Sequence, residues 1–357
     1  MAACLPYLSG NEDDARDATI PFVTIPSKYA PAHASPAGTG DSRPTALQII
    51  KDENLTGALA SKTILITGCS SGIGIETAHA LATTGARLFL TARDTEKAQE
   101  VLKDLLAPGH IELLHLDLTS LASVRSCAKE FLQKSEGKLN VLICNAGVMW
   151  IPTHTQTVDG FESQFGINHL AHFLLFQLIK PALLSSITPD FNSRVVVLSS
   201  ASHRSSPILF ENINLENGAY NPSTAYSQSK TANIYMANSI ERHYGAQGLH
   251  GLSLHPGTIF TGLVRHLDKQ MLAILSSDQF KAIMKSPEQG AATTVFAAVT
   301  QELEGKGALY LENCMVAEPL KPEPGMLDPG YAVHAFDEEK EERLWNESLK
   351  MVGLDSN

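Results

Sequence analysis

The sequence predicts an α/β protein: a doubly wound parallel sheet forming a single domain behind an N-terminal extension. Three observations predict it. From Thr63 onward, short apolar runs alternate with helical stretches, the order that lays crossover helices between parallel strands. Several of the runs are apolar without a break, as strands covered on both faces are. The first run ends in a glycine-rich segment that opens a helix.

The strands are expected at 63–66, 87–90, 111–116, 141–144, 195–198, 251–255 and 308–311, with helices at 77–84, 120–133, 166–184 and 227–244. In the first helix Ala78, Leu81 and Ala82 share one face, and Gly85 suits the left-handed position that follows a helix end. Residues 1–55 form the extension. Their opening stretch carries Pro6, Pro21, Pro26, Pro31, Pro36 and Pro44, a density that excludes a long helix or a central strand. Either this segment drapes loosely over the surface or it packs as an arm on its own subunit or a partner. Residues 56–357 form the domain, including a segment at about 262–286 and a C-terminal segment.

Composition narrows the function. Hydrophobic residues make up 43% and charged residues 18% of the chain, which is globular rather than disordered. A net charge of -11 without a Lys/Arg cluster excludes nucleic acid as the expected partner. The cysteines Cys4, Cys69, Cys127, Cys144 and Cys314 are odd in number and widely spaced; reduced intracellular thiols are expected, not disulfides or a zinc site. His172, His203 and His255 lack metal-ligand spacing, so no metal is expected. No run reaches the roughly 18–20 apolar residues of a membrane span, and the first residues lack a secretory pattern. The expected location is cytoplasmic.

The segment after the first strand reads Thr67-Gly68-Cys69-Ser70-Ser71-Gly72-Ile73-Gly74. Its glycines allow a tight turn and bring backbone N–H groups to a pyrophosphate at the positive end of a helix. The strand, loop and helix that a dinucleotide site requires are all present. Tyr226 and Lys230 stand four apart on one helix face. An ammonium beside a phenol lowers its pKa toward the range where acid–base catalysis is efficient.

In these residues and their order the chain resembles the short-chain dehydrogenase/reductase family. The loop matches T-G-x-x-x-G-x-G, and Asn145-Ala146-Gly147, Asn168, Ser200, Tyr226-x-x-x-Lys230 and Pro256-Gly257-x-x-x-Thr261 follow in family order, over about 250 of the 357 residues. The segments RVVVLSSASHR and LHPGTIFTGLVRH are similar to the retinol-dehydrogenase-like and WW-domain-oxidoreductase-like branch. The membrane anchor and the WW domains of those groups are not in the sequence, so neither a retinoid substrate nor peptide binding is the expectation.

The resemblance implies a Rossmann-type fold and a nicotinamide cofactor held by Gly68, Ser70, Ser71, Gly72, Ile73, Gly74, Arg93, Asp117, Leu118, Asn145, Ala146, Gly147, Tyr226, Lys230, Pro256, Gly257, Ile259 and Thr261. Arg93, ending the second strand where an acidic residue would hold a ribose 2′-hydroxyl, favours NADP(H) over NAD(H). Ser71 stands where many NADP enzymes have a second basic residue. Asp117 matches the adenine-binding position; on its own it would be a helix cap.

In the implied chemistry Tyr226 is the acid/base and Lys230 lowers its pKa and holds ribose. Ser200, preferred over its neighbours Ser199 and Ser202, polarises the substrate oxygen, and Asn168 supports a water relay. Apolar residues of 207–215 would roof one side of a pocket, and 262–286 would cover a lipophilic substrate or pack as an amphipathic helix. The activity expected is interconversion of a lipophilic alcohol with its ketone or aldehyde. Alternatives are epimerisation or dehydration on the same scaffold, or a non-catalytic NADP(H)-binding regulator. The resemblance also implies a homo-oligomer paired through the helices carrying Asn168 and Tyr226.

Overall fold

The computed structural model describes residues 27–107, 109–325 and 327–354; Cys4, Pro6, Pro21 and Pro26 lie outside the described residues. Eight strands form one sheet in the order β3-β2-β1-β4-β5-β6-β7-β8. They are β1 Thr63–Ile66, β2 Arg87–Ala92, β3 Ile111–His115, β4 Val141–Cys144, β5 Ser193–Leu198, β6 Leu249–His255, β7 Leu309–Glu312 and β8 Met315–Val316. The first seven pair in parallel and β8 runs antiparallel to β7.

None of the expected strands covers β8. It folds back through Asn313 and Cys314, both in the left-handed region at φ 58° and 55°, the two-residue geometry that matches strand twist. Cysteine is not a usual residue there, so the turn carried no composition signal. β2, β5 and β6 also run longer than the apolar cores that marked them.

Alternate residues of the strands feed two cores. Leu65, Phe89, Leu142, Val195 and Val197 face the helices Leu121–Lys134, Ala171–Ser185 and Pro222–Tyr244. Ile64, Ile66, Leu88, Val141, Val196 and Leu252 face Ala46–Asp52, Ile73–Ala82 and Ala292–Val299. This is the doubly wound arrangement. Gly85 takes φ 77° just past Ile73–Ala82.

Residues 27–55 pack on the sheet domain. Thr45 caps the helix Ala46–Asp52 by accepting from the Gln48 N–H, and Ile49 and Ile50 are fully buried in the second core. A boundary at residue 55 therefore cuts through packed structure. At the other end, the helix Glu338–Met351 lies over the helices that carry Asn168 and Tyr226. Its Trp345 meets Phe173 edge-on at 4.9 Å and stacks on His243 at 4.7 Å.

Two helices differ from expectation. The helix carrying Tyr226 and Lys230 starts at Pro222, five residues before the expected Ser227, because Asn221 accepts from the N–H groups of Ser223 and Thr224 and Pro222 fits the first helical position. The helix expected over 166–184 opens instead as a short turn at Ser163–Phe165 followed by a π turn at Gly166–Leu170, and becomes regular only at Ala171–Ser185. The whole run from Ser163 to Ser185 is long and apolar enough to cross a membrane, which the sequence reading missed because His169, His172 and Lys180 interrupt it. Most of it is buried inside the fold, as a core helix is.

Ile49→Ala is expected to lower the unfolding free energy by about 2–4 kcal/mol, read by urea denaturation. A midpoint equal to the parent's would show that the segment before residue 55 is not part of the core.

Candidate active site

β1 and β4 lie side by side while their connections leave in opposite directions, to β2 on one side and to β5 on the other. Such a switch point leaves a crevice beyond the carboxyl ends of the strands. The crevice is held together by Thr67. Its hydroxyl accepts from the N–H groups of Asn145 (2.9 Å) and Ala146 (3.0 Å), and the Asn145 amide donates back to the carbonyls of Thr67 (2.8 Å) and Gly68 (3.2 Å).

Two glycines are required by this closeness. Gly68 has φ 76°, and a Cβ there would stand 2.8 Å from the Cα of Ala146. A Cβ on Gly74 would run into the Gly68 carbonyl.

The crevice widens into a groove of about 440 Å³. Gly68, Ser70, Ser71, Gly72, Ile73 and Gly74 line its middle; Arg93, Asp117 and Leu118 its outer end; Asn145, Ala146, Gly147, Tyr226, Lys230, Pro256 and Thr261 the rest. Of the expected cofactor residues, Gly257 and Ile259 are not in the wall. A Cβ on Gly257 would meet the Lys285 side chain, and Ile259 packs against Gly290. They shape the wall from behind.

Arg93 is exposed and has no ion pair among the described residues. Asp94, its suspected partner, instead caps the helix Thr95–Val101 by accepting from the Lys97 N–H at 2.9 Å. Lys97 also lines the groove. The sequence reading did not single it out, although a basic residue in the first turn after β2 was a usable signal. Asp117 is not a helix cap: its carboxylate accepts from the N–H and the hydroxyl of Thr119 at 2.9 and 2.8 Å, and Ser120 caps the next helix. Arg265 and Leu263, from the segment after Thr261, close over the same groove.

The glycine cradle fits a pyrophosphate. In the same wall the Asn145 Oδ1 is buried without a hydrogen-bond partner, an acceptor available to a ligand. The chemistry of these donors fits a nicotinamide dinucleotide.

At the inner end stand Tyr226 and Lys230, the pair expected to carry acid–base chemistry. Tyr226 is 4% and Lys230 5% exposed. The Lys230 Nζ donates to the Leu198 carbonyl at 2.9 Å and lies 5.5 Å from the centre of the Tyr226 ring. Ser200 sits against the Tyr226 phenol, and its hydroxyl accepts from the Ser202 N–H. Ser199 lines the groove, but its hydroxyl is committed to the Lys230 carbonyl at 2.8 Å. The structure therefore separates the adjacent serines by what each hydroxyl touches.

Asn168 is fully buried in the π turn, behind Gly147. Its side chain accepts from the Val148 N–H at 2.8 Å and donates to the Val148 carbonyl at 3.0 Å and to Ser229 at 2.9 Å. Its carbonyl accepts from His172 Nδ1 at 3.0 Å, while His172 Nε2 accepts from the Thr67 hydroxyl at 2.9 Å. Burial pushes His172 down to about 4, so the ring is neutral and joins the floor of the crevice to the π turn. π turns recur at functional sites because the extra residue re-aims the side chains around it. His203 is structural: Nδ1 donates to the Ser200 carbonyl at 2.6 Å and Nε2 accepts from the Ala332 N–H at 3.1 Å. Among the described residues no three His, Cys, Asp or Glu gather in metal-binding geometry.

The expected lowering of the Tyr226 pKa is not what the protein alone shows. Burial pushes the phenol up to about 12, and the Ser200 contact pulls it down only in part. Burial likewise pushes Lys230 down to about 8. Desolvation wins because the ammonium points at the Leu198 carbonyl rather than at the phenol oxygen. The apolar residues between Ser200 and Tyr226 also differ from expectation. Ile208, Ile213 and Leu215 are buried in packing, leaving Leu209 at the surface.

Residues 62–272 match the family model described as short chain dehydrogenase. The chain is 53% identical over 328 residues to the short-chain dehydrogenase/reductase prx1 of Penicillium roqueforti, covering 92% of this chain and 95% of that protein. It is 36% identical over 320 residues to human retinol dehydrogenase 13, covering 86% and 91%. A solved structure of the Pseudomonas aeruginosa RhlG/NADP active-site complex superposes with a TM-score of 0.58 at 25% identity, over 72% of this chain and 96% of that one.

Lys230 has a folded pKa of about 8 against an ordinary 10.5, so the fold sheds this proton more readily than the unfolded chain. Its contribution to stability is present above pH 10.5 and lost as pH falls through 8. Lys230→Met is therefore expected to stabilise the cofactor-free protein at pH 7 by up to about 3 kcal/mol, with the gain shrinking at alkaline pH. The Leu198 carbonyl keeps Asn233 as a donor. Denaturation curves at neutral and alkaline pH check this; a gain independent of pH would contradict it.

Proposed function

This chain belongs to the short-chain dehydrogenase/reductase family, in its retinol-dehydrogenase-like branch, and on that premise we propose that it is an NADP(H)-dependent oxidoreductase interconverting a lipophilic alcohol and its ketone or aldehyde. The observation that carries this reading is one groove with a phosphate cradle and two cations, Arg93 and Lys97, toward one end and the buried Tyr226 and Lys230 at the other, with the half-buried Ser200 against the Tyr226 phenol.

The glycine loop and the end of the helix Ile73–Ala82 would hold the pyrophosphate through backbone N–H groups. Arg93 and Lys97 would take the ribose 2′-phosphate, Arg93 as a planar fork and Lys97 as a point charge. Asp117 and Leu118 would border the adenine. Bound at the inner end, the nicotinamide supplies or accepts a hydride. Tyr226 gives its proton to the substrate oxygen in reduction and takes one back in oxidation, and Ser200 donates a hydrogen bond to the same oxygen. A phenol raised by burial stays protonated at neutral pH, which is the form that reduction uses. Lys230 has a free choice of partners once a ribose hydroxyl is within reach. Asn168 fixes Val148 and the Lys230 surroundings.

An apolar substrate is supported by Leu263 on the groove wall and by Phe260 and Ile274, 58% and 39% exposed in the segment that borders it.

Calorimetric titration with NADPH and NADH tests the cofactor. Arg93→Ala and Lys97→Ala should each weaken NADPH binding about 10- to 100-fold, the loss of a charge-assisted bond, and leave NADH nearly unchanged. Equal binding of both nucleotides by the parent and both variants would overturn the NADP(H) reading. Tyr226→Phe should bind NADPH like the parent yet reduce a panel of long-chain and aromatic ketones and aldehydes at least about 100-fold more slowly. Parent-like turnover by that variant would remove Tyr226 from the chemistry.

A further inference from the structure

The N-terminal segment reaches across the molecule to the root of the segment that closes the groove. Arg43 is 4% exposed, so of the two expectations for this segment, a loose surface drape or an arm packed on its own subunit or a partner, residues around Arg43 fit the packed arm. Its Nε donates to Asp41 Oδ1 at 2.8 Å, Nη1 to the Ile283 carbonyl at 2.7 Å, and Nη2 to the carbonyls of Met284 at 2.7 Å and Gly38 at 3.0 Å. The two distant carbonyls belong to the end of the helix Asp278–Ile283 and the residue after it.

Gln289 completes the contact from the far side. Its Nε2 donates to the Asp41 carbonyl (3.2 Å) and carboxylate (3.1 Å) and to the Arg43 carbonyl (3.1 Å), while Oε1 accepts from the N–H groups of Gly40 (2.9 Å) and Ser286 (3.0 Å).

Between these anchors lies Lys285, 3% exposed. Its N–H donates to the Thr258 carbonyl at 2.9 Å, and its Nζ donates to the Pro256 carbonyl at 3.3 Å and to Asn313 Oδ1 at 2.9 Å. Its side chain fills the space behind Gly257. Hydrogen bonds from Arg43 to Ile283 and Met284, and from the adjoining Lys285 to the backbone of 256–258, thus link Arg43 through the chain at 284–285 to the groove wall at Pro256 and Thr261.

We propose that Arg43, oriented by Asp41 and Gln289, is a positioning residue that fixes the root of the 262–286 segment and, through Lys285, the Pro256–Thr261 wall of the groove; its cofactor consequence rests on the NADP(H) reading above. Two physical reasons favour a built clamp over incidental packing. A buried guanidinium is costly unless its donors are met, and here the donors are spent on two successive lid-root carbonyls. Only a planar fork reaches both at once. Arg43 and residues 283–289 also lie outside the stretch 62–272 that matches the family model.

The test compares the full-length parent with Arg43→Gln by hydrogen–deuterium exchange without cofactor, and by calorimetry with NADPH. Amides of 258–290 should exchange about tenfold faster in the variant, the loss of hydrogen bonds to a charged group, with β1, β4 and β5 keeping their parent protection. NADPH should bind about three- to tenfold more weakly. Arg43→Lys keeps the charge and loses the fork, so it should show the same local pattern and serves if the glutamine variant does not fold. Unchanged exchange in 258–290, or an equal rise over the whole sheet, would overturn the clamp. If the parent itself does not bind NADPH, the cofactor reading falls, while the exchange result still decides the clamp.

Discussion

Everything at this site depends on the distance between the ends of two neighbouring strands. β1 and β4 are hydrogen-bonded partners, and past Ile66 and Cys144 the chain must turn away in opposite directions without closing the gap. The Thr67 hydroxyl sets that gap. Accepting from two N–H groups uses its lone pairs, which leaves its own proton for His172. A hydroxyl so placed fixes three things together: the start of the glycine loop, the turn at Asn145 to Gly147, and the ring that supports Asn168. The glycines follow from the same constraint, because at this spacing a Cβ on Gly68 has no room.

The inner end of the groove sets stability against chemistry. Tyr226 and Lys230 are both buried, and burial moves each away from its charged form. Neither shift favours the folded protein without a ligand. Both are held in place by packing elsewhere, here by the helix Pro222–Tyr244, buried along most of its length and covered by Glu338–Met351. Functional sites commonly carry local costs of this kind. The Ser199 hydroxyl, bonded to the Lys230 carbonyl, ties the strand end to that helix and leaves Ser200 as the hydroxyl beside the phenol.

Segments at both ends of the chain, outside the core that matches the family model, act on this centre from a distance. The helix Ala46–Asp52 completes one hydrophobic layer and Glu338–Met351 the other. Between residues 37 and 43 the N-terminal segment bonds to the last residues of the groove-closing segment, Ile283 and Met284, and to Gln289 just beyond it. The proline-rich composition of this region excludes long regular elements, yet it does not prevent short helices and turns whose polar groups are met by distant backbone.

The sequence by itself determined the strand order's raw material, the glycine loop, and which residue types would meet at the groove, because periodicity, turn chemistry and motif order are local properties of the chain. Seven of the eight strands and the loop at Gly68–Gly74 were legible for that reason. What only the tertiary structure decided were matters of distance and solvent. The fold sets Asn168, on its π turn, against Val148 and Ser229, which stand 20 and 61 positions away in sequence. Gly257 and Ile259 turned out to stand behind the wall, pressed by Lys285 and Gly290. The direction of the Tyr226 shift followed from burial, which no local pattern encodes, and the role of Arg43 from carbonyls some 240 positions away. Desolvation and long-range hydrogen bonds belong to the folded chain as a whole, so the residues that feel them cannot be ranked before the fold is known.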